Sequence, residues 1–304
     1  MTEIKSLGAK SKEASRALAR AGTKLKNAAL LNIADALVSE TGKIIDANFA
    51  DMENSRKAGM SEPMLDRLRL DKKRIEGMAS GVRDIAAAAD PVGNVLWGET
   101  RPNGLKISKV SVPIGVIAVI FESRPNVTSD AAALCLKAGN AVILRGGKEA
   151  VNSNIAIASV MRDAVGKAGL PRDCILLVSD TSRESANELM RMNEYIDLLI
   201  PRGGAGLIRA VTENSTVPII ETGVGNCHIF VDSFADCETA ANIVFNAKTS
   251  RPSVCNACES LLVHRDIAKR ALPIIKNRLD EKGVEIRGDK EVCSILQGAV
   301  PATD

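Results

Sequence analysis

Two patterns of apolar positions divide the chain. Over residues 24–38, Leu25, Ala28, Leu31, Ile33 and Leu37 recur at intervals of roughly three and four, the helical period. The first ninety residues read as helix throughout, punctuated by Pro63 and Pro91. Beyond Pro91 short unbroken apolar runs take over: GVIAVIF at 115–121, AVIL at 141–144, CILLV at 174–178, YIDLLI at 195–200, VPII at 217–220, HIFV at 228–231 and ESLLV at 259–263. Amphipathic stretches lie between most of them, at 127–138, 149–168, 184–192, 207–213 and 236–248. Thr181 with Glu184 three residues later predicts a capping box at the third of these. Strands alternating with helices predict βαβ units, a parallel sheet and the α/β class.

No Gly-, Ser- or Pro-rich linker divides the chain. The nearest to a hinge is Thr-Gly-Val-Gly-Asn at 222–226, which sets the expected boundary between a domain over 1–224 and another over 225–304. No solenoid-length repeat is present, but one short echo is. AVILRGGK at 141–148 and LLIPRGGAG at 198–206 each run from an apolar strand through Arg-Gly-Gly into a helix.

Composition narrows the function classes. The 304 residues are 45% apolar, enough for a sizeable core, and aromatic residues make up only 2%, with one Trp and one Tyr. A surface that stacks RNA bases needs more of them. A net charge of +3 without a basic run gives no reason to expect nucleic acid or a membrane as partner. The N-terminus has no signal-peptide core, and the apolar stretch at 112–121 is too short to span a bilayer. The expected location is the cytoplasm, where the seven Cys are thiols.

Three sets of residues carry candidate chemistry. A Gly-rich turn leading into a helix lets backbone amides approach a phosphate, and Arg or Lys adds a full charge. Glycine can equally serve only to permit a tight turn. Val142 stands where a P-loop needs its first Gly, and Gly223-Val-Gly225 lacks the rest of the usual dinucleotide fingerprint. A dinucleotide held by an unusual turn is one reading. Cys255 and Cys258 form C-x-x-C, yet no second pair and only two His are present, so no zinc site is expected. A redox pair, an inert buried Cys and a nucleophile near Lys248 and Arg251 remain as readings. Arg124, in ESRPN after the first strand, and Arg251 are either anion-binding forks or solvated loop charges.

Taken in order, ESRPNVTSDAAALCLKAGNAVILRGGKEA, ETGVGNCHIFVD and KTSRPSVCNA resemble the aldehyde dehydrogenase superfamily, and within it the branch that reduces an acyl phosphate. The resemblance implies a parallel-sheet, Rossmann-type cofactor domain over 1–224 and an α/β catalytic domain over 225–304. It implies NADPH-dependent reduction of γ-glutamyl phosphate to glutamate 5-semialdehyde, a step of proline biosynthesis, through a thioester on Cys255. Asn126 matches the superfamily residue whose amide, with the Cys255 N–H, holds the oxyanion. Arg145, Gly146, Gly147 and Lys148 match the segment at the adenosine ribose. Lys148 replaces a frequent acidic residue there, which favours NADP(H). Gly203 and Gly204 match the pyrophosphate turn, while Arg124 and Arg251 suit the phosphate and carboxylate of the substrate. Glu221 matches the superfamily's general base, but activating water would waste an acyl phosphate, so it is left out of the catalytic set. A homo-oligomer and glutamate 5-kinase as a partner are further implications. Superfamily members continue well past the point where this sequence stops, which makes the catalytic domain look incomplete and predicts weak turnover with cofactor binding retained. A general aldehyde dehydrogenase and a non-catalytic nucleotide-binding fragment are the alternatives.

Overall fold

The computed structural model describes residues 2–223, 225–252 and 254–303. It divides into two compact units, Met1–Gly223 and Val224–Asp304.

The first unit opens with five helices, α1 (Glu3–Leu18), α2 (Thr23–Ser39), α3 (Thr41–Lys57), α4 (Glu62–Leu68) and α5 (Lys72–Ala87). An antiparallel hairpin follows, β1 (Val95–Thr100) with β2 (Lys106–Val110). Then come β3 (Val116–Phe121), α6 (Asn126–Lys137), β4 (Ala141–Arg145), α7 (Val151–Lys167), β5 (Ile175–Leu177), α8 (Arg183–Leu189), β6 (Leu198–Arg202) and α9 (Ala205–Asn214). The four strands β3–β6 form one parallel sheet in the order β5-β4-β3-β6. All six residues of β3 and the first four of β4 are buried, as continuous apolar runs demand when a sheet is covered on both faces. One core joins this sheet to α1, α2, α5, α6 and α7.

Two glycines fix the geometry at the start of the sheet. Gly139 (φ 73°) ends α6 in the left-handed region. The next residue, Asn140, accepts from the N–H groups of Ile114 and Gly115 at 2.6 and 2.9 Å. Gly115 (φ 130°) lies where a Cβ would collide with the Asp197 carboxylate. That carboxylate accepts from Val116 N–H at 2.8 Å and from Lys12 at 2.7 Å, tying α1 to the sheet.

The second unit contains β7 (His228–Val231), α10 (Cys237–Thr249), β8 (Ser260–Val263), α11 (Arg265–Asp280), β9 (Arg287–Gly288), α12 (Lys290–Ile295) and β10 (Val300–Pro301). β7 pairs with β8 and β9 with β10, both in parallel. Val231, Ala241, Val244, Ile267, Ala271 and Ile275 centre its core.

Three local expectations are corrected. The run VPII makes only one bridge, Ile219 to Leu199, because Pro218 has no N–H for a ladder. The cap of α8 is Ser182, whose hydroxyl accepts from Ser185 N–H, in place of Thr181. Residues 148–150 form a 3₁₀ turn, so α7 starts at Val151 rather than at Glu149. The β1–β2 hairpin was not foreseen.

Candidate active site

The sheet order reverses between β3 and β6, since β4 and β5 extend from one side of β3 and β6 from the other. In open α/β sheets ligands bind outside the carboxyl ends of the strands at such a switch point. The loops leaving β3 and β6 meet there. Glu122 N–H donates to the Arg202 carbonyl at 3.2 Å, and the Glu122 carboxylate accepts from Gly204 N–H at 2.9 Å. A Cβ on Gly203 would displace that carboxylate, so glycine lets Glu122 approach this turn closely. Gly203 and Gly204 are exposed and open α9, with the Gly204 amide held by Glu122.

The two Arg-Gly-Gly turns differ. At α7 the N-terminal amides are already capped by Asp51, a buried residue of α3. It accepts from Ser153 N–H at 2.8 Å, Ser153 hydroxyl at 2.6 Å and Asn152 N–H at 3.2 Å. The α7 end therefore presents no free anion cradle, and its glycines serve close packing. A Cβ on Gly146 would meet the Asn154 amide, and one on Gly147 the Glu149 carboxylate. The Arg145 guanidinium donates to the Thr181 and Ser182 carbonyls at 2.8 and 2.9 Å, holding the loop before α8. Burial pulls its pKa down against the opposing charges of Asp180 and Glu149. Lys148 is exposed and, among the described residues, makes no ion pair. Of the four residues expected at the ribose, Lys148 is the one whose charge faces solvent.

Asn126 opens α6, half-buried, and donates from Nδ2 to the Asp130 carboxylate at 2.8 Å. Arg124 is half-buried in the loop before it. Glu221 is exposed, 2.5 Å from the Thr212 hydroxyl.

In the second unit Cys255 is exposed and Cys258 buried, and both are free thiols. Burial pushes the Cys258 thiol up, with the Lys248 charge opposing. Lys248 donates to the Cys258 carbonyl at 3.0 Å, so it braces this loop. The Cys227 thiol donates to the Cys255 carbonyl at 3.4 Å, and Cys258 N–H to the Ala247 carbonyl at 3.0 Å. Arg251 is exposed at the start of the loop. Ser253 in this loop and Val224 in the Gly-Val-Gly segment lie outside the described residues. Among the described residues no cluster of His, Cys, Asp and Glu could hold a metal, and no helix is long and apolar enough to cross a membrane.

Comparison with known proteins decides the family. Residues 2–293 match the aldehyde dehydrogenase family. The chain belongs to that family. The gamma-glutamyl phosphate reductase of Clostridium novyi is 56% identical over 96% of this chain and 70% of its own length. That of Lachnospira eligens is 52% identical over all of this chain and 73% of its own length. The crystal structure of gamma-glutamyl phosphate reductase from Thermotoga maritima superimposes with a TM-score of 0.90 at 45% identity, covering all of this chain and 73% of that one. The aldehyde dehydrogenase fold is shared more widely. An acetylating aldehyde dehydrogenase from Geobacillus thermoglucosidasius, 20% identical, matches with a TM-score of 0.67 over 95% of this chain and 60% of its own.

Glu122, Asp130, Glu149 and Cys227 stand beside the residues the sequence singled out without having been singled out themselves. Only one left a trace in the sequence: Asn126 and Asp130 are four apart, the spacing of neighbours on a helix face.

Proposed function

We propose that this chain reduces γ-glutamyl phosphate to glutamate 5-semialdehyde, releasing phosphate, with NADPH as the preferred reductant. The observation that carries the reading is 52–56% identity, over nearly the whole chain, to reductases named for that substrate. The exposed thiol of Cys255 in KTSRPSVCNA supports it.

Cys255, as thiolate, attacks the acyl carbon. A C–S bond forms, the bond from carbon to the phosphate oxygen breaks, and phosphate leaves with the electron pair. The resulting thioester accepts hydride far more readily than a carboxylate does. Bound NADPH supplies that hydride. The oxyanion formed on each carbonyl addition accepts from the Asn126 amide. Collapse of the first oxyanion expels phosphate and leaves the thioester; collapse of the second, formed on hydride addition, breaks the C–S bond, releases the aldehyde and restores the thiolate. A donor of this kind contributes about 2.7–4 kcal/mol to the barrier. Arg124 and Arg251 pair with the phosphate and α-carboxylate. At the turn into α9 the cofactor's pyrophosphate would take Gly204 N–H over from the Glu122 carboxylate, and the exposed Lys148 suits its 2′-phosphate. Arg145, Gly146 and Gly147 shape the ribose-facing turn from behind.

Phosphate distinguishes this activity from aldehyde oxidation by water. Run in reverse, oxidation of glutamate 5-semialdehyde with NADP should require inorganic phosphate. Product formation at an undiminished rate without phosphate would overturn the assignment.

A further inference from the structure

We propose that Asp130 is a positioning residue for the reaction, fixing the orientation of the Asn126 amide. The inference rests on the reading above that this amide holds the oxyanion. Asn126 is the first residue of α6 and Asp130 lies one turn later on the same face, which brings Nδ2 to 2.8 Å from Oδ2. The two ends of a primary amide have nearly the same shape but opposite hydrogen-bonding character. A carboxylate only accepts, so it selects the orientation in which the nitrogen faces Asp130. The second N–H on that nitrogen is then the donor left for an oxyanion. Without this partner the amide turns freely, and its carbonyl oxygen, an acceptor, can stand where a donor is needed. A donor preorganised for developing charge is worth far more than one that must be oriented during the reaction.

Nothing else on α6 replaces Asp130 in this role. The Ser129 hydroxyl lies 3.4 Å from Asp130 Oδ1 but only 2.9 Å from the Asn126 carbonyl oxygen, and its one proton serves the closer acceptor. Burial raises the Asp130 pKa while the bond from Asn126 opposes it. Keeping a carboxyl in a place that penalises its charge makes sense where its acceptor character is used. Stability would be served as well by a neutral side chain.

The test is a mutant cycle on the intact chain, with kcat and KM measured separately. Asp130→Ala should lower kcat by about 5–50-fold with KM within twofold, and Asp130→Asn, whose carbonyl still accepts, should fall between it and wild type. In an Asn126→Ala background Asp130→Ala should cost less than a further twofold. A full-sized loss in that background marks a structural role and overturns the inference, as does an unchanged kcat for Asp130→Ala where Asn126→Ala is impaired. An unchanged kcat for Asn126→Ala overturns the oxyanion reading itself. A readout independent of turnover is the side-chain amide signal of Asn126 in protein carrying ¹⁵N-asparagine. One downfield proton should return to the ordinary range in Asp130→Ala and move only part of the way in Asp130→Asn, and its failure to move in Asp130→Ala would overturn the contact.

Discussion

The Glu149 carboxylate accepts two hydrogen bonds from Ser123, from its backbone N–H at 2.6 Å and from its hydroxyl at 2.9 Å. Ser123 (φ 43°) is, among the described residues, the one non-glycine in the left-handed region. Such a conformation costs on the order of 1 kcal/mol and persists only when its surroundings hold it. Glu149 supplies that hold from the turn after β4, the strand next to β3. It thereby ties the loop that leads to Asn126 to the turn that carries Lys148.

Glu149→Ala leaves the nearly buried N–H and hydroxyl of Ser123 without this acceptor. The expected cost is about 1–3 kcal/mol. Glu149→Gln keeps one acceptor oxygen and should lose less. Adding Ser123→Gly to Glu149→Ala should recover part of the loss, because glycine adopts positive φ freely and removes the stranded hydroxyl. Urea unfolding of the four proteins checks this, and equal stability of Glu149→Ala and wild type would refute it.

Thiol reactivity should separate the seven cysteines. Burial pushes Cys135 and Cys174 up to about 12, so at pH 7.5 their thiolate fraction is negligible, against roughly a tenth for an ordinary thiol. Cys258 is buried and shifted the same way, whereas Cys255 is exposed. Brief iodoacetamide treatment followed by peptide mass spectrometry should find Cys255 labelled ahead of Cys258, with Cys135 and Cys174 untouched until denaturation. Loss of activity should track the Cys255 label. Cys255→Ala should abolish turnover and Cys258→Ala should keep most of it.

Lys148→Glu should move cofactor preference toward NAD. The side chain is exposed and among the described residues pairs with no carboxylate, so its charge is available to a 2′-phosphate. A charge-assisted contact of this kind is worth about 1.5–3 kcal/mol, which is about 10–150-fold in the ratio of kcat/KM for NADP over NAD. An unmoved ratio would remove Lys148 from the cofactor site.

How legible the fold was depended on where each segment buries its apolar residues. GVIAVIF and AVIL are buried on both sides, and an unbroken apolar run announces that. HIFV was read to the residue. The β1–β2 hairpin escaped because it exposes Val95, Leu96 and Trp97, so no buried face stamps a pattern on the sequence. At the site, Cys255 and Asn126 stand in distinctive local segments. Their supports do not: Asp51 caps α7 from a hundred residues away, and the pairing of Glu149 with Ser123 depends on one backbone angle. The spacing of Lys248 to the cysteine loop suggested help for the Cys255 thiolate, yet its ammonium is bonded to the Cys258 carbonyl. Proximity in sequence gave the neighbourhood without the partner.

The acid limb of stability should report an ion pair far from the chemistry. Lys26, almost wholly buried on α2, lies 2.8 Å from the Asp90 carboxylate, which also accepts from the Thr23 hydroxyl at 2.6 Å and Val92 N–H at 3.0 Å. Burial pushes the Asp90 carboxyl up, but the bonds from Lys26, Thr23 and Val92 and the Lys26 charge outweigh it and hold it at about 2. An unfolded Asp titrates near 3.9. The folded state therefore favours the ionised form. Its contribution is complete above about pH 5, declines as pH falls through the range between the two values, and is gone below about 2. It amounts to at most about 2 kcal/mol. Asp90→Asn should flatten the loss of stability between pH 5 and 2. It should also lower stability at pH 7 by more than that contribution, because Lys26 then keeps a buried charge without its counterion. Lys26→Met together with Asp90→Asn should regain much of the difference. Urea unfolding followed by Trp97, the single Trp of the chain and part of the same unit as Asp90, makes the comparison directly. The same slope of stability against pH in wild type and Asp90→Asn would show that this pair is not what acid removes.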